Sequence, residues 1–298
     1  MNLPDRRAKL GSMSHHTLID AATLRSRRAA GGEFAIIDCR FDLQDINAGR
    51  AAFLAGHIPT AQYADLNQDL SSAVTAASGR HPLPDPRVFA RRMGELGVGA
   101  HIQVIAYDAA NASYAARLWW LLRWVGHDAV AVLDGGYAAW LAAGGAIETG
   151  SGRAAPVTPL TARPGSVPSV DTANLAAALA SGRHLLIDAR AAERYAGKIE
   201  PIDPVAGHVP GALNHPFGEN LDATGKFLAP EELQRRWRAR LGSHRPTEVV
   251  AMCGSGVTAC HNLLSLEVAG LTGAALYPGS WSEWIRDAQR PVRRGESP

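Results

Sequence analysis

One cysteine stands in a setting that suits nucleophilic chemistry. Four apolar residues at 249–252 precede Cys253 and have the length and composition of a buried parallel strand, and apolar residues recur at helical spacing over 260–268. Cys253 is therefore predicted at the carboxyl end of a strand, where open α/β sheets bind their ligands. The loop that follows consists of Gly254, Ser255, Gly256, Val257 and Thr258.

This loop is suited to hold an anion. The two glycines, Gly254 and Gly256, let the backbone curl so that several N–H groups point inward, and Ser255 and Thr258 add hydroxyl donors. Free N–H groups and the positive end of the next helix favour a thiolate, which is the nucleophilic form of cysteine. We therefore expect Cys253 to act as a nucleophile. The alternative is a small buried apolar residue, the usual role of a lone cysteine in a strand.

The spacing excludes a cysteine phosphatase. Those enzymes also place a cysteine between a strand and a helix, but their Cys-x5-Arg pattern would require an arginine at position 259, where this chain has Ala259. Without that guanidinium, no planar donor group is available to clamp a phosphate dianion.

Composition limits the class of protein. The chain has 298 residues, of which 46% are hydrophobic and 19% charged, so it is long enough for two domains. A net charge of +2 argues against a nucleic-acid or membrane-surface partner. The three cysteines, Cys39, Cys253 and Cys260, are too few for a disulfide framework or a closed zinc site, which favours a reducing compartment. The opening segment lacks the apolar core of a secretory signal, and we expect a cytoplasmic protein.

The two halves of the chain repeat one unit. The matched positions lie roughly 150 residues apart, as expected for two tandem domains. They are Asp38 with Asp188, His57 with His208, Asp108 with Cys253, and Trp140 with Trp284. Each half alternates short apolar strands with amphipathic helices, predicted at 87–96, 114–125 and 230–241. This alternation predicts an α/β fold with two tandem domains, each a parallel sheet flanked by helices.

Composition shifts predict the domain boundaries. Residues 149–169 are rich in proline and glycine without periodicity, which is typical of an extended linker. We therefore expect a flexible leader at 1–16, a first domain at 17–148 and a second, catalytic domain at 170–298. Met13 is an alternative start of translation.

The loop and the repeat together resemble the rhodanese-like sulfurtransferases. The resemblance rests on the hexapeptide 253–258, the Asp-x-Arg strand ends, the Gly-His-(Ile/Val)-Pro turns and the closing Gly-Gly-Tyr and Gly-Ser-Trp turns, and it spans about residues 17–286. The hexapeptide looks most like that of 3-mercaptopyruvate sulfurtransferases. The resemblance implies that Cys253 takes a sulfane sulfur from 3-mercaptopyruvate or thiosulfate, becomes a persulfide, and passes the sulfur to cyanide or a thiol. It implies no cofactor, and a thioredoxin-like protein is a candidate reductant.

The first domain is expected to be catalytically inactive. Its loop carries Asp108 in place of Cys253, and a carboxylate cannot hold a sulfane sulfur. The residues after Asp108 also lack the glycines that we expect an amide cradle to need. In two-domain members of the family the first domain forms a wall of the cleft, and the resemblance implies the same here.

The resemblance also implies partners for the cysteine. Arg194 falls where the family has an arginine that faces the cysteine, and its planar fork suits an anionic donor. By the same match His57 is a candidate partner of Ser255, although the equivalent His208 in the second half argues for a structural role. A second family arginine is replaced by Ile202, which puts a strict mercaptopyruvate preference in doubt. A thiosulfate-preferring rhodanese and a noncatalytic protein-binding scaffold remain the alternatives.

Overall fold

The computed structural model describes residues 14–152, 157–158 and 160–298. The first domain contains a five-stranded sheet, in which all strand pairs are parallel. Its strands are β1 (Leu18–Ile19), β2 (Phe34–Asp38), β3 (Gln62–Tyr63), β4 (Gln103–Tyr107) and β5 (Val130–Leu133), in the spatial order β1-β5-β4-β2-β3. The helices are α1 (Ala21–Ala29), α2 (Ala48–Ala55), α3 (Pro86–Glu95), α4 (Ala115–Trp124) and α5 (Gly136–Ala142).

The second domain repeats this plan with four parallel strands. Its strands are β6 (Leu185–Asp188), β7 (Leu213–Asn214), β8 (Val249–Met252) and β9 (Ala275–Leu276), in the spatial order β7-β6-β8-β9. The helices are α6 (Thr172–Ala180), α7 (Ala192–Tyr195), α8 (Pro230–Leu241), α9 (Ala259–Val268) and α10 (Ser280–Trp284), with short 3-10 helices at Phe217–Asn220 and Pro246–Glu248. The predicted fold class, two tandem domains with parallel sheets flanked by helices, is confirmed.

The three helices predicted from amphipathic spacing all form, as α3, α4 and α8. The start of helix α3 is set by the two residues at its N-terminus. The Asp85 carboxylate accepts hydrogen bonds from the N–H groups of Arg87 and Val88, and Pro86 occupies the first helical position, where its missing N–H costs nothing.

One apolar cluster runs through both domains, and each domain has a further cluster of its own. Helix α4 is buried on nearly every side, as a helix that is apolar around its circumference should be, and it packs against α9 of the second domain. Trp119 of α4 and Leu263 of α9 belong to the same continuous cluster. Arg123 and Glu267 close the edge of this interface with an ion pair of 3.3 Å. The packing fixes both sheets relative to each other.

The segment between the domains contacts the first domain at Val157 and Arg163, and its end pairs with the second domain, where the Leu276 N–H donates to the Pro168 carbonyl at 3.1 Å. The Val157 N–H donates to the Gly94 carbonyl at 3.2 Å, and the Arg163 N–H donates to the Val125 carbonyl at 2.9 Å. Parts of the predicted linker (153–156 and 159) and most of the predicted leader (1–13) lie outside the described residues. Within the described part of the chain, no helix combines the length and apolar character needed to cross a membrane.

Candidate active site

The cysteine loop is anchored by the end of the second sheet and by helix α10. Strand β8 ends at Met252, and the Cys253 N–H donates to Ser280 Oγ at 3.0 Å while the Cys253 carbonyl accepts from the Trp281 N–H at 3.0 Å. Gly256 has a φ of +75°, and a Cβ there would lie 2.4 Å from the Pro278 carbonyl oxygen. Only glycine fits this position.

A cleft of about 290 Å³ opens in front of Cys253, between the two domains. Most of the residues expected from the sequence line it, namely Cys253, Gly254, Ser255, Val257, Thr258 and Arg194. Gly256 supports the loop from behind. The first domain contributes Leu43, Leu66, Arg80, His81, Ser113 and Tyr114, so the expected wall of the cleft is present. Within the described residues, no group of His, Cys, Asp or Glu side chains could hold a metal ion.

Ser255 is paired with His81 of the first domain. Ser255 Oγ lies 2.7 Å from His81 Nδ1, and both side chains are buried. Burial, reinforced by the positive charges of Arg117 and Arg80, lowers the pKa of His81 to about 3. The imidazole is therefore neutral at neutral pH and able to exchange a proton with the serine hydroxyl.

The pairing of His57 with Ser255 implied by the resemblance is wrong. His57 Nδ1 lies 2.8 Å from the Phe53 carbonyl oxygen, and its ring stacks on Phe53 at 4.0 Å. His208 repeats this arrangement in the second domain, with its ring stacked on Tyr195 at 3.8 Å. Both histidines hold their turns in place, which is why the repeat preserves them.

His81 lies outside the repeated motifs, and the sequence analysis missed it. One feature of the sequence could have indicated His81. It has no counterpart in the second half of the chain, where no histidine occurs between His215 and His244. A polar residue that only one of two similar domains carries is free to serve the site rather than the shared fold.

Arg194, for which the resemblance implied a position facing the cysteine, lines the cleft beside Gly254. Its Nη2 donates to Glu200 at 2.7 Å and to Asp203 at 3.3 Å, which fixes one edge of the guanidinium. A Cβ built on Gly254 would lie 3.6 Å from both Nη1 and Nη2 of Arg194. Arg80, which the sequence analysis also missed, also lies next to Gly254 and forms an ion pair with the same Asp203.

A buried arginine connects the first domain to the cysteine loop. Arg117 of helix α4 is fully buried, and it donates to the Gly256 carbonyl at 3.1 Å and to the His81 carbonyl at 3.1 Å. Burial lowers the pKa of this guanidinium, and the nearby thiols of Cys260 and Cys253 oppose that shift. One side chain thus holds both the loop and the backbone of His81.

The other two cysteines are packing residues, as expected. Cys39 and Cys260 are fully buried and unpaired. Burial raises the pKa of Cys260 to about 12 and that of Cys39 well above its usual value, so both thiols stay protonated at neutral pH. Neither lines the cleft.

The first-domain loop departs from what its sequence led us to expect. The Asp108 carboxylate accepts hydrogen bonds from the N–H groups of Tyr114 (2.8 Å), Ala112 (3.0 Å) and Ala115 (3.1 Å). The expectation that this loop cannot form an amide cradle is wrong, because Ala112 adopts a left-handed φ of +60° without being glycine. The cradle is filled by the loop's own carboxylate.

Known proteins resemble the chain over nearly its whole length. The family model described as "Rhodanese-like domain" matches residues 20–143 and 171–287. A probable 3-mercaptopyruvate sulfurtransferase from Pseudomonas aeruginosa is 46% identical over 286 residues, covering 95% of this chain and 100% of that protein. A putative thiosulfate sulfurtransferase from Mycobacterium tuberculosis is 40% identical, covering 93% of this chain and 97% of that protein.

A solved structure shows the same architecture. The 3-mercaptopyruvate sulfurtransferase from Leishmania major superposes with a TM-score of 0.81 at 30% identity, covering 92% of this chain and 75% of that one. The family model alone matches more than half of this chain, in two consecutive copies. The chain therefore belongs to the rhodanese-like family, as a member with two such domains in tandem.

Proposed function

We propose that this protein is a sulfurtransferase that moves a sulfane sulfur from 3-mercaptopyruvate or thiosulfate to cyanide or a thiol, through a persulfide on Cys253. One observation carries the proposal: among the cysteines, Cys253 alone lines the cleft, at the end of β8. Relatives that are similar over nearly the full chain are named for each of the two donors.

The first half-reaction loads the cysteine. The Cys253 thiolate attacks the donor sulfur, and a sulfur–sulfur bond forms. With mercaptopyruvate the carbon–sulfur bond breaks, and its electron pair passes to the carbon as the enolate of pyruvate, which must then take up a proton. We assign the delivery of that proton to Ser255, and its hydrogen bond with the neutral His81 supports this assignment. With thiosulfate the leaving group is sulfite, which departs without a carbon that needs protonation.

The second half-reaction returns the enzyme to its starting state. A nucleophilic acceptor, cyanide or a thiolate, attacks the outer sulfur of the persulfide, and the Cys253 thiolate leaves. Product of the first donor departs before the acceptor reacts, so the kinetics are ping-pong. A thioredoxin-like protein is the thiol acceptor that we favour. The unpaired state of Cys39, Cys253 and Cys260 supports a reducing compartment, and we place the protein in the cytoplasm.

The intact mass of the protein tests the assignment. After incubation with mercaptopyruvate or thiosulfate and removal of the excess, we expect a gain of one sulfur, which cyanide should remove. Cys253→Ser should gain none, whereas Cys39→Ser and Cys260→Ser should load like the wild type. A wild-type protein that gains no sulfur from either donor would favour the noncatalytic scaffold, and loading of Cys253→Ser would move the chemistry to another residue.

Turnover with the two donors separates the two enzyme types. The neutral loop side chains suit mercaptopyruvate, whereas Ile202 in place of an arginine weakens the recognition of its carboxylate. We expect both donors to be used, with the higher kcat for mercaptopyruvate. A clearly higher kcat for thiosulfate would identify a thiosulfate-preferring rhodanese instead.

A further inference from the structure

Ser282 of helix α10 contacts the two segments that carry Ser255 and His81. Its N–H donates to the Gly254 carbonyl at 2.9 Å, and its Oγ accepts from the Arg80 N–H at 3.0 Å. Gly254 and Arg80 directly precede Ser255 and His81 in the chain. Together with the Ser255–His81 hydrogen bond of 2.7 Å, these contacts form a closed ring across the domain interface.

Arg117 of helix α4 holds the same two segments at a second point. It donates to the carbonyl of Gly256, the residue after Ser255, at 3.1 Å and to the carbonyl of His81 at 3.1 Å. Ser282 and Arg117 each bond across the interface, one from either domain, and both are buried. Two segments joined by a single bridge can pivot about it, whereas two bridges fix their separation.

His81 depends on such contacts because secondary structure does not hold it. It lies in the segment 64–85, all of which the structure describes and which forms neither helix nor strand. Arg286 tethers the start of this loop, by donating to the Ser78 carbonyl at 3.2 Å. Ser282 bonds both this loop and the cysteine loop, so it is placed to set the distance between them.

We propose that Ser282 is a positioning residue for the proton transfer assigned above to Ser255 and His81. This inference rests on the sulfurtransferase function proposed above. Ser282 does not line the cleft, so it acts through the residues that it holds and not on the donor. A hydrogen bond weakens steeply when its partners turn or move apart, and the ring prevents both. Since the proton is needed with mercaptopyruvate and not with thiosulfate, Ser282 matters for the first donor.

Steady-state kinetics of Ser282→Ala test this inference. The variant loses the acceptor of the Arg80 N–H but keeps the backbone N–H that binds the Gly254 carbonyl. We expect its kcat for mercaptopyruvate to fall at least about tenfold, since a misplacement of about 1 Å can cost about a hundredfold in rate. The KM for mercaptopyruvate and the kcat for thiosulfate should stay within about threefold of the wild type, because the ring neither binds the donor nor assists the departure of sulfite.

A double mutant shows whether Ser282 acts through His81. Adding Ser282→Ala to His81→Asn should lower the kcat for mercaptopyruvate by less than about twofold more, because residues that act as a unit are not additive. A further loss as large as that of Ser282→Ala alone would place its effect elsewhere and refute the inference.

Two controls exclude a general loosening of the protein. Ser265→Ala is the matched change, since Ser265 is a buried serine of the same domain whose Oγ accepts from the Trp237 indole N–H at 2.9 Å, and it does not line the cleft. Arg286→Ala removes a tether of the His81 loop and leaves the ring intact. Both variants should keep the wild-type kcat for mercaptopyruvate.

The outcomes distinguish this inference from the proposed function. Sulfur loading of Ser282→Ala by saturating thiosulfate, read by intact mass, shows that the variant is folded and that Cys253 is competent. If the wild type loads but Ser282→Ala keeps its kcat for mercaptopyruvate within about twofold, well under the loss expected of a misplaced group, the positioning role is refuted while the sulfurtransferase stands. An equal loss with both donors, or a loss that either control reproduces, also refutes it. A wild type that loads from neither donor refutes the function itself.

Discussion

The imidazole of His81 is neutral where it contacts Ser255, and this protonation state determines how the pair can transfer a proton. Burial and the nearby charges of Arg117 and Arg80 hold the pKa of His81 at about 3. The ring therefore gains a proton only as the pH falls towards 3, and the rate should show no step from its titration between pH 5 and 8. A neutral ring can pass a proton to and from the serine, which suits the step in which the enolate of pyruvate is protonated.

We predict that His81→Asn discriminates between the two donors. Asparagine keeps a hydrogen bond to Ser255 but cannot relay a proton, so the kcat for mercaptopyruvate should fall at least about tenfold, below the usual range for general acid catalysis. The kcat for thiosulfate should change little, since sulfite needs no proton on carbon. Parallel assays of the same preparation provide the control. An equal loss with both donors would assign His81 a structural role.

Among single residues, the sequence predicts those that their own segment positions. It misses those that reach the site only through contacts between the domains. Cys253, Ser255 and the glycines share one strand–loop–helix segment, so their spacing alone places them together. His81 and Arg80 reach the site only because the domains dock, and no pattern in their own segment specifies that contact. His57 was wrongly expected at the site because it belongs to a recognisable repeated motif, although the motif histidine stabilises the fold.

At the scale of elements, the loops after β4 and β8 are equivalent loops of the two domains and are anchored in the same way. Each loop is anchored to one later helix of its domain. The Asp108 carbonyl accepts from the Tyr137 N–H of α5 at 2.8 Å, and the Cys253 carbonyl accepts from the Trp281 N–H of α10 at 3.0 Å. In the first loop, backbone N–H groups bind the Asp108 carboxylate of the loop itself. The second loop has no such carboxylate, and it lines the cleft instead. The alternation of strands and helices predicted both loops, but composition alone could not show that Ala112 would adopt a glycine-like φ.

We predict that Asp108 stabilises the first domain although it takes no part in sulfur transfer. Asp108→Ala leaves the N–H groups of Ala112, Tyr114 and Ala115 without their acceptor, which should lower the free energy of unfolding by at least about 2 kcal/mol. Urea denaturation measures this change. The exposed Asp42→Ala should stay within about 0.5 kcal/mol of the wild type. A neutral effect of Asp108→Ala would mean that water replaces the carboxylate.

At the scale of the whole molecule, the cleft depends on how closely the domains approach. Gly79 of the first domain is buried against the second domain, where a Cβ would lie 2.6 Å from the Gly279 carbonyl oxygen and 2.8 Å from Ser282 Oγ. The next residue, Arg80, donates its N–H to Ser282 Oγ at 3.0 Å. The repeat in the sequence predicted two domains, but this docking depends on surface shape that no single segment encodes.

We therefore predict that Gly79→Ala widens the cleft. Any side chain at position 79 must push the domains apart locally, which should lower kcat/KM for both donors at least about tenfold, because small misplacements of reacting groups are costly. Gly218→Ala is the matched control, since a Cβ there meets nothing within 4 Å. Equal activity of the two variants would show that the interface relaxes without disturbing the site.

The hydrogen bond between His81 and Ser255 also bears on the order in which the folding chain acquires its structure and its activity. The two residues are 174 positions apart in the chain and belong to different domains. Domains generally fold as units, and docking between them is a separate, slower event. A newly made chain is thus expected to acquire both sheets before it acquires the serine–histidine contact. We therefore expect refolding to restore secondary structure first and activity towards mercaptopyruvate last.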